Sequence, residues 1–373
     1  MTSRAVHIVH VSSAHPWTDN RIHYRECVSL VDAGYKVTLI AVESAIDGPV
    51  TGVEVIALPR TRRLKRMSVG AARAVYRALR SGARIVHCHD PELAVWIPLL
   101  RIAGRKVIYD AHEDLPEQVS NKPYARGLGT VMLRSLAGGI IRLARSANHI
   151  IAATETIADR FPAGKVSVVH NYPPLRSEEL HAVPLVERPE GVVYVGGIGP
   201  LRGSAQMIAA TENEAFPAGW TLELAGPLDE SMRDSNDLTA YQRVNYHGQV
   251  GPVEARDLLL ESRVGLSVLQ DSPAYRESLP TKMFEYFAAG MPVIASDFPL
   301  WRSIVEGSEC GMLVDETSPA SIAQALERYA HDPELLTSHG RNARHLAETR
   351  LNWGHEVPVL LSAYDTTRGV RSS

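Results

Sequence analysis

Between residues 6 and 315, short β-branched runs alternate with stretches of helical spacing, and few architectures accommodate that rhythm. In the first half the strand-like runs are "VHIVHVS", "KVTLIAV", "VEVIAL", "RIVHCH", "KVIYDAH", "HIIAAT" and "KVSVVH", with helical patterns near 21–33, 68–81, 91–103, 128–147 and 156–161. At 171–191, "NYPPLRSEELHAVPLVERPEG", prolines and charges replace the pattern, as expected of a linker. The alternation then resumes with "GVVYVGG", "WTLELAG", "VNYHG", "VGLSVL", "PVIAS" and "GMLVD", separated by helical patterns near 204–211, 253–262, 280–289, 319–329 and 333–348. A helix between two strands is the crossover that a parallel pair requires, so each half reads as a doubly wound α/β domain. The expected division is 1–180, 181–350 and an amphipathic tail, 351–373, that returns to the first domain. Two such domains in series place a ligand cleft at the carboxyl ends of their strands.

Composition excludes several classes. The three cysteines, Cys27, Cys88 and Cys310, are far apart and odd in number, which argues against a disulfide framework or a cysteine zinc site and for a reducing cytoplasm. The apolar run at the start is too short for a signal peptide, and no run approaches a membrane span. Net charge is −3, yet residues 1–180 hold 24 basic against 16 acidic side chains and the remainder 15 against 26. Much of the excess lies in 60–84, "RTRRLKRMSVGAARAVYRALRSGAR", with nine basic residues and no acidic one. That pattern suits either an anionic membrane surface or a solvated helix face. "HCHD", 87–90, invites a metal reading, but one strand end supplies too few ligands. We expect His87 to pack and His89 or Asp90 to face the acceptor side.

The densest group of chemistry-bearing residues is "ESLPTKMFEYFAAGMPVIASD", 277–297. Pro280 suits a helix start and Gly290 its end. Glu277 then precedes the helix, while Thr281 and Lys282 occupy a first turn whose free N–H groups favour an anion. Lys282 and Glu285 share a face. A nucleoside diphosphate sugar presents hexose, diphosphate and ribose in the order in which these groups could meet it, and a carboxylate can accept from both ribose hydroxyls.

This segment resembles the Glu-x7-Glu signature of the retaining glycosyltransferases of family 4, which have the GT-B fold, and the likeness extends over nearly the whole chain. "YVGGIGPLRG" is similar to the strand and loop in which that family places a basic pair against the donor diphosphate. Arg202 falls on one of those positions; Gly197 stands at the other, usually Arg, with Lys282 as the replacement charge. "VIYDAHED" resembles the strand end that carries a histidine beside the reacting sugar, here His112. "HNYPPL" is similar to the first-domain exit and "LNWGHEV" to the helix that crosses back. The usual glycine-rich first loop is replaced by "SSAHPWTDNRIHYRE", with Asp19, Arg21 and His23.

The resemblance implies retaining transfer of a hexosyl unit from a nucleoside diphosphate sugar, UDP- in preference to GDP-, to a hydroxyl of a glycan, glycolipid or small molecule. His112 and Glu277 would act at the sugar, Gly197, Arg202, Thr281, Lys282 and Glu285 would hold the donor, and Asp19, Arg21 and His89 would lie on the acceptor side. Without an Asp-x-Asp motif we expect no metal and no cofactor, and no nucleic-acid partner. The expected location is the cytoplasm, with peripheral contact at the inner membrane face through 60–84 and a lipid-linked acceptor as a further expectation.

Three rivals compete. A nicotinamide-dependent oxidoreductase would use "GIGPLRG" with Glu223 on the ribose, but Pro200 and Arg202 crowd a dinucleotide turn. A glycosidase would use Glu277 and Glu285 as its carboxylate pair, although such carboxylates come from different strand ends. A nucleotide-sugar epimerase could share the fold.

Overall fold

The computed structural model describes residues 5–45, 48, 51–112, 128–176, 183–233, 238–276 and 278–369. The chain forms two compact units, one running to Asn171 and completed by the segment from Trp353, the other spanning Tyr172–Asn352. The boundary thus lies earlier than residue 180, because Tyr172 already stacks edge-on against Phe284 of the second unit, with ring centroids 4.9 Å apart.

The first unit is built on a seven-stranded sheet of β1 (His7–Pro16), β2 (Lys36–Val42), β3 (Glu54–Leu58), β4 (Ile85–Cys88), β5 (Lys106–Ala111), β6 (His149–Ala152) and β7 (Val166–Val168), in the order 3-2-1-4-5-6-7. The pairs are parallel. Successive side chains of a strand point to opposite faces, so the register sorts them. Val9, Val11, Val86, Cys88, Val107 and Tyr109 pack on one face with Ala71, Ala74, Val75 and Ala78 of the helix Ala71–Arg80. Ile8, Leu39, Ile85 and Ile108 face the other way, against Ile22, Leu30 and the C-terminal helix Trp353–Arg368. His10 pairs in register with His87 on this second face, and His87 with Ile108. The C-terminal helix is anchored by Trp353, whose Nε1 donates to Ser29 Oγ at 2.8 Å, and by the fully buried Tyr364.

The second unit has a six-stranded parallel sheet of β8 (Gly191–Val195), β9 (Thr221–Ala225), β10 (Val244–Tyr246), β11 (Val264–Ser267), β12 (Val293–Ser296) and β13 (Gly311–Val314), ordered 10-9-8-11-12-13. The helix Thr281–Ala288 buries Met283, Phe284, Tyr286 and Phe287 against it. A further helix, Pro299–Val305, follows β12, and its buried Trp301 donates from Nε1 to Ser278 O at 2.7 Å, tying down the chain that leads into Thr281. Among the described residues no helix is long and apolar enough to cross a membrane.

Tyr286 lies flat on β11 only because position 265 is glycine, where an added Cβ would sit 2.2 Å from the Tyr286 ring. Gly265→Ala should therefore destabilise the protein by about 1–3 kcal/mol, the usual cost of overpacking a core. Thermal denaturation followed by circular dichroism checks this, and an unchanged midpoint contradicts it.

Candidate functional site

The carboxyl end of β1 in the first unit carries a loop that one buried carboxylate organises. Asp90 accepts from Ser12 Oγ at 3.0 Å, from the Ser13 N–H, from Ala14 N at 3.1 Å and from His15 Nδ1 at 2.9 Å. Burial opposes its ionisation, but the hydrogen bond and charge of His15 and the Ser13 N–H outweigh that and bring its pKa down to about 2. Asp90 is therefore spent on holding the loop and is fully buried, so it does not face an acceptor.

Asp110, at the end of β5, is a second such centre. Arg21 grips it with two bonds, Nε to Oδ2 at 3.1 Å and Nη2 to Oδ1 at 2.8 Å, while Nη1 donates to Val169 O at 3.0 Å. His89 Nδ1 and His112 Nδ1 lie 3.1 and 2.9 Å from Oδ2. Burial raises the cost of this charge, yet Arg21 and then His112 hold the Asp110 pKa well below the usual carboxylate range. Behind it, His10 Nδ1 meets His89 Nε2 at 2.9 Å, and the Tyr364 hydroxyl meets His10 Nε2 at 3.0 Å and His87 Nδ1 at 2.7 Å. Burial pushes the pKa of His10 and His87 well down, which keeps both rings neutral.

Glu26 is enclosed in the same group with no hydrogen-bond partner on either oxygen, although Oε1 lies 3.2 Å from Arg21 Nε. Burial, and then the charge of Asp110, drive its pKa well up despite Arg21. The donor atoms of His10, Glu26, His87 and His89 fall within 4.8 Å of one another, as do those of His89, Asp110 and His112. Hydrogen bonds engage every ring nitrogen of His10, His87 and His89 except Nε2 of His87.

These positions revise the acceptor-side expectation for three residues. Asp19 caps the π-type helix Asn20–Cys27, its Oδ1 accepting from Arg21 N and Ile22 N, both at 2.9 Å. Arg21 and His89 are 4% and 1% exposed, because each is consumed by the Asp110 network. His112 keeps part of its ring accessible beside His15, with centroids 5.1 Å apart.

In the second unit Lys282 and Gly197, both expected on the donor side, lie against Tyr194 of β8. Lys282, in the first turn of its helix, is 8% exposed, and its Nζ lies 3.7 Å from the centroid of the Tyr194 ring. The left-handed backbone of Gly196 (φ 140°) lets Nζ approach, since an added Cβ there would sit 3.3 Å from it. Desolvation, with repulsion from Arg202 second, holds the lysine pKa well below its ordinary value, against the opposing pull of Glu285. Arg202 itself stacks over Tyr275 at 5.1 Å. Gly197 is exposed, and its carbonyl accepts from Tyr194 Oη at 2.8 Å. Thr281 and Glu285 are half-buried on the same helix as Lys282. Glu277 lies outside the described residues. The rival ribose acid Glu223 is engaged by Thr221 Oγ1, Asn245 Nδ2 and His247 Nε2 at 2.7, 2.8 and 2.7 Å, which ties it to its own sheet edge.

Known proteins resemble this chain in both halves. Residues 176–346 match the family described as glycosyl transferases group 1, and residues 21–172 match the glycosyl transferase 4-like domain. A D-inositol 3-phosphate glycosyltransferase of Gordonia bronchialis is 28% identical over 187 residues, 46% of this chain and 39% of that protein. The chain spans between 16% and 58% of the length of the curated relatives it matches. In fold, 98% of the chain superposes on the whole of a sucrose-phosphate synthase from Thermosynechococcus elongatus with a TM-score of 0.75 at 18% identity. Anabaena Alr3699/HepE in complex with UDP-glucose gives 0.68 at 14% identity, over 96% of this chain and 99% of that one.

The Asp90 clamp has a pH signature. A carboxyl whose folded pKa is depressed from 3.8 to about 2 stabilises the fold by about 2 kcal/mol above its unfolded pKa. That contribution disappears as pH falls through the folded value. Asp90→Asn should be less stable at pH 7 and should lose less on acidification between pH 4 and pH 2. Chemical denaturation at several pH values checks it, and parallel curves for the two proteins contradict it.

Proposed function

The chain belongs to the group 1 glycosyltransferases, with a GT4-like first domain, and from that premise we propose that it moves a hexosyl unit from a nucleoside diphosphate sugar, with UDP as the base-bearing half, to an acceptor hydroxyl with retention of configuration. The observation that carries the donor reading is Lys282, an ammonium desolvated against Tyr194 with Arg202 close enough to depress its pKa further. Two cations that repel each other inside a protein favour an anion placed beside both. A diphosphate meets that need, and the charge that gathers on it as the sugar departs meets it better still. Glu285, one helical turn from Lys282, is the carboxylate for the ribose hydroxyls.

On the first unit, His112 is the group suited to a sugar hydroxyl, with Nδ1 turned to Asp110 and part of its ring accessible. Glu277 supports the reading from the signature alone. Retention requires no protein base when the departing phosphate takes the acceptor proton on the face it leaves, so this reading assigns neither glutamate an acid or base role. No metal enters it, since the protein cations supply the countercharge.

Lys282 gives the reading a test apart from turnover. An anion raises the lysine pKa, so UDP binding at alkaline pH should take up protons from solution, and calorimetry in buffers of differing ionisation enthalpy measures that uptake. Lys282→Met should abolish it. Glu285→Ala should weaken UDP binding about 10- to 100-fold, as expected for a lost charge-assisted hydrogen-bond pair. His112→Ala should mainly lower kcat. Proton uptake of zero together with unchanged UDP affinity in Glu285→Ala sinks the donor assignment.

The acceptor reading rests on the basic stretch. Leu64, Met67, Val69 and Tyr76 are exposed, and the exposed cations Arg60, Arg62, Arg63, Lys65, Arg73, Arg77 and Arg80 interleave with them. Exposed apolar side chains among cations suit an anionic lipid surface, and we propose a lipid-linked acceptor presented there. Flotation should show binding to vesicles rich in phosphatidylglycerol, weakened by salt and by Leu64→Glu with Met67→Glu. Equal recovery with neutral vesicles contradicts this.

A further inference from the structure

We propose that Asp110 is a positioning residue for His112, and that a one-directional hydrogen-bond chain running from His87 through Tyr364 of the C-terminal helix holds Asp110 and its partners in place. This rests on the reading of His112 given above.

The direction follows from donor and acceptor chemistry. An ionised carboxylate only accepts, so His89 must carry its proton on Nδ1 to meet Asp110 at 3.1 Å. The Nε2 of a neutral His89 is then bare and accepts from His10 Nδ1 at 2.9 Å. That leaves His10 Nε2 bare in turn, to accept the Tyr364 hydroxyl proton at 3.0 Å. The Tyr364 oxygen then accepts from His87 Nδ1 at 2.7 Å. With three neutral imidazoles, this assignment gives every link one donor and one acceptor.

The members are fixed by register rather than by chance contact. His10 and His87 are paired on adjacent strands, His89 is two residues on, and Asp110 and His112 continue the same alternation on β5 and just beyond it. Each of His10, His87, His89, Asp110 and Tyr364 is at most 1% exposed, so water does not compete for the bonds. Arg21 completes the arrangement by occupying both Asp110 oxygens from another side.

The consequence reaches His112. Asp110 Oδ2 accepts from His112 Nδ1 at 2.9 Å, which fixes the ring orientation and places the proton on Nδ1. With the proton held on Nδ1, Nε2 is the nitrogen left to meet a sugar hydroxyl. With Asp110 gone, the ring can turn over and exchange tautomers, which misplaces the acceptor without touching the donor-binding residues.

Long-range proton–nitrogen NMR on the full chain with labelled histidine reads the tautomer directly. His112 should be protonated on Nδ1 in the native protein and a mixture in Asp110→Asn. Steady-state kinetics of Asp110→Asn should show kcat lowered about 10- to 100-fold, the range typical of lost orienting partners, with donor KM nearly unchanged. Tyr364→Phe keeps the ring and removes only the hydroxyl; it should shift the His10 and His89 nitrogen signals and lower kcat by less, and it serves if Asp110→Asn does not fold. A native His112 protonated on Nε2, or folded Asp110→Asn with an unchanged His112 spectrum, overturns the proposal. So does stoichiometric metal found by elemental analysis that vanishes in His10→Ala, because a cation on those nitrogens replaces the His10–His89 bond. A locked tautomer together with full activity in His112→Ala would instead defeat the role given to His112 in transfer and leave the chain as a structural device.

Discussion

The first unit depends on one buried ion pair, Arg21 with Asp110. Neither charge could enter that interior alone, since an unpaired buried ion costs several kcal/mol and breaking such a pair by removing one partner typically costs 3–5 kcal/mol. The pair is tolerable because it is well bonded: Asp110 accepts from Arg21, His89 and His112, and Arg21 Nη1 donates to the Val169 carbonyl. The elements it joins are distant in sequence, namely the π-type helix after β1, the ends of β4 and β5, and the backbone just past β7. Its partners His89 and His10 extend the connection to Tyr364 of the C-terminal helix. Glu26 fits the same charge balance. Arg21 makes its carboxylate hydrogen bonds to Asp110, and the carboxyl whose pKa burial drives up is the one that receives no hydrogen bond.

The second unit reaches a charged site by the opposite route. It buries Lys282 against the face of Tyr194, where Arg202 repels it and, among the described residues, Glu285 is the acidic group that pulls the other way. The cation–π contact offsets part of the desolvation and no more, on the order of 2 kcal/mol. The remainder is free energy available to an incoming anion. Under the proposed function this is how a lysine would replace the arginine expected at position 197: what matters to a diphosphate is the potential at the site, and a desolvated ammonium raises it from a different element of the fold.

Much of the fold was legible, and the reason is the strength of the alternation. The helix Ser204–Thr211 and every strand of the second unit lie where the pattern placed them, because β-branched runs bounded by glycine and proline leave little choice. The family was legible from "ESLPTKMFEYFAAG" because that segment carries its own context. The site was less so. Asp19 and Arg21 were expected on the acceptor side, whereas Arg21 turns inward to a partner 89 positions later. No local pattern encodes such a pairing. Asp90 was expected to face the acceptor side, and Asp110 was overshadowed by His112 beside it. One signal was present: His10 and His87 occupy the alternating positions of strands otherwise filled by Val and Ile, and a polar residue at a core position of a buried parallel strand requires a partner that is also buried. The helix Pro299–Val305 was missed because seven residues between a proline and a glycine turn give too few periods to count.

The two routes to a charged site have different consequences for catalysis. Transition-state stabilisation is most effective when dipoles and charges need not rearrange as the reaction proceeds. In the first unit that condition is met by saturation: each donor around Asp110 is occupied before any substrate arrives, so His112 starts from one orientation. In the second it is met by deprivation, since Lys282 has lost water and, among the described residues, only the opposing pull of Glu285 acts against that loss. A saturated network holds a neutral ring in place with little electrostatic pull on the substrate, which suits a group whose task is to orient a hydroxyl. A deprived cation pulls strongly on whatever anion comes near, which suits the end of the donor where negative charge grows as the glycosidic bond breaks. The distribution of buried charge therefore argues for a division of tasks in which the first unit positions and the second unit stabilises, and it does so without requiring that any side chain lose or gain a proton during the chemical step.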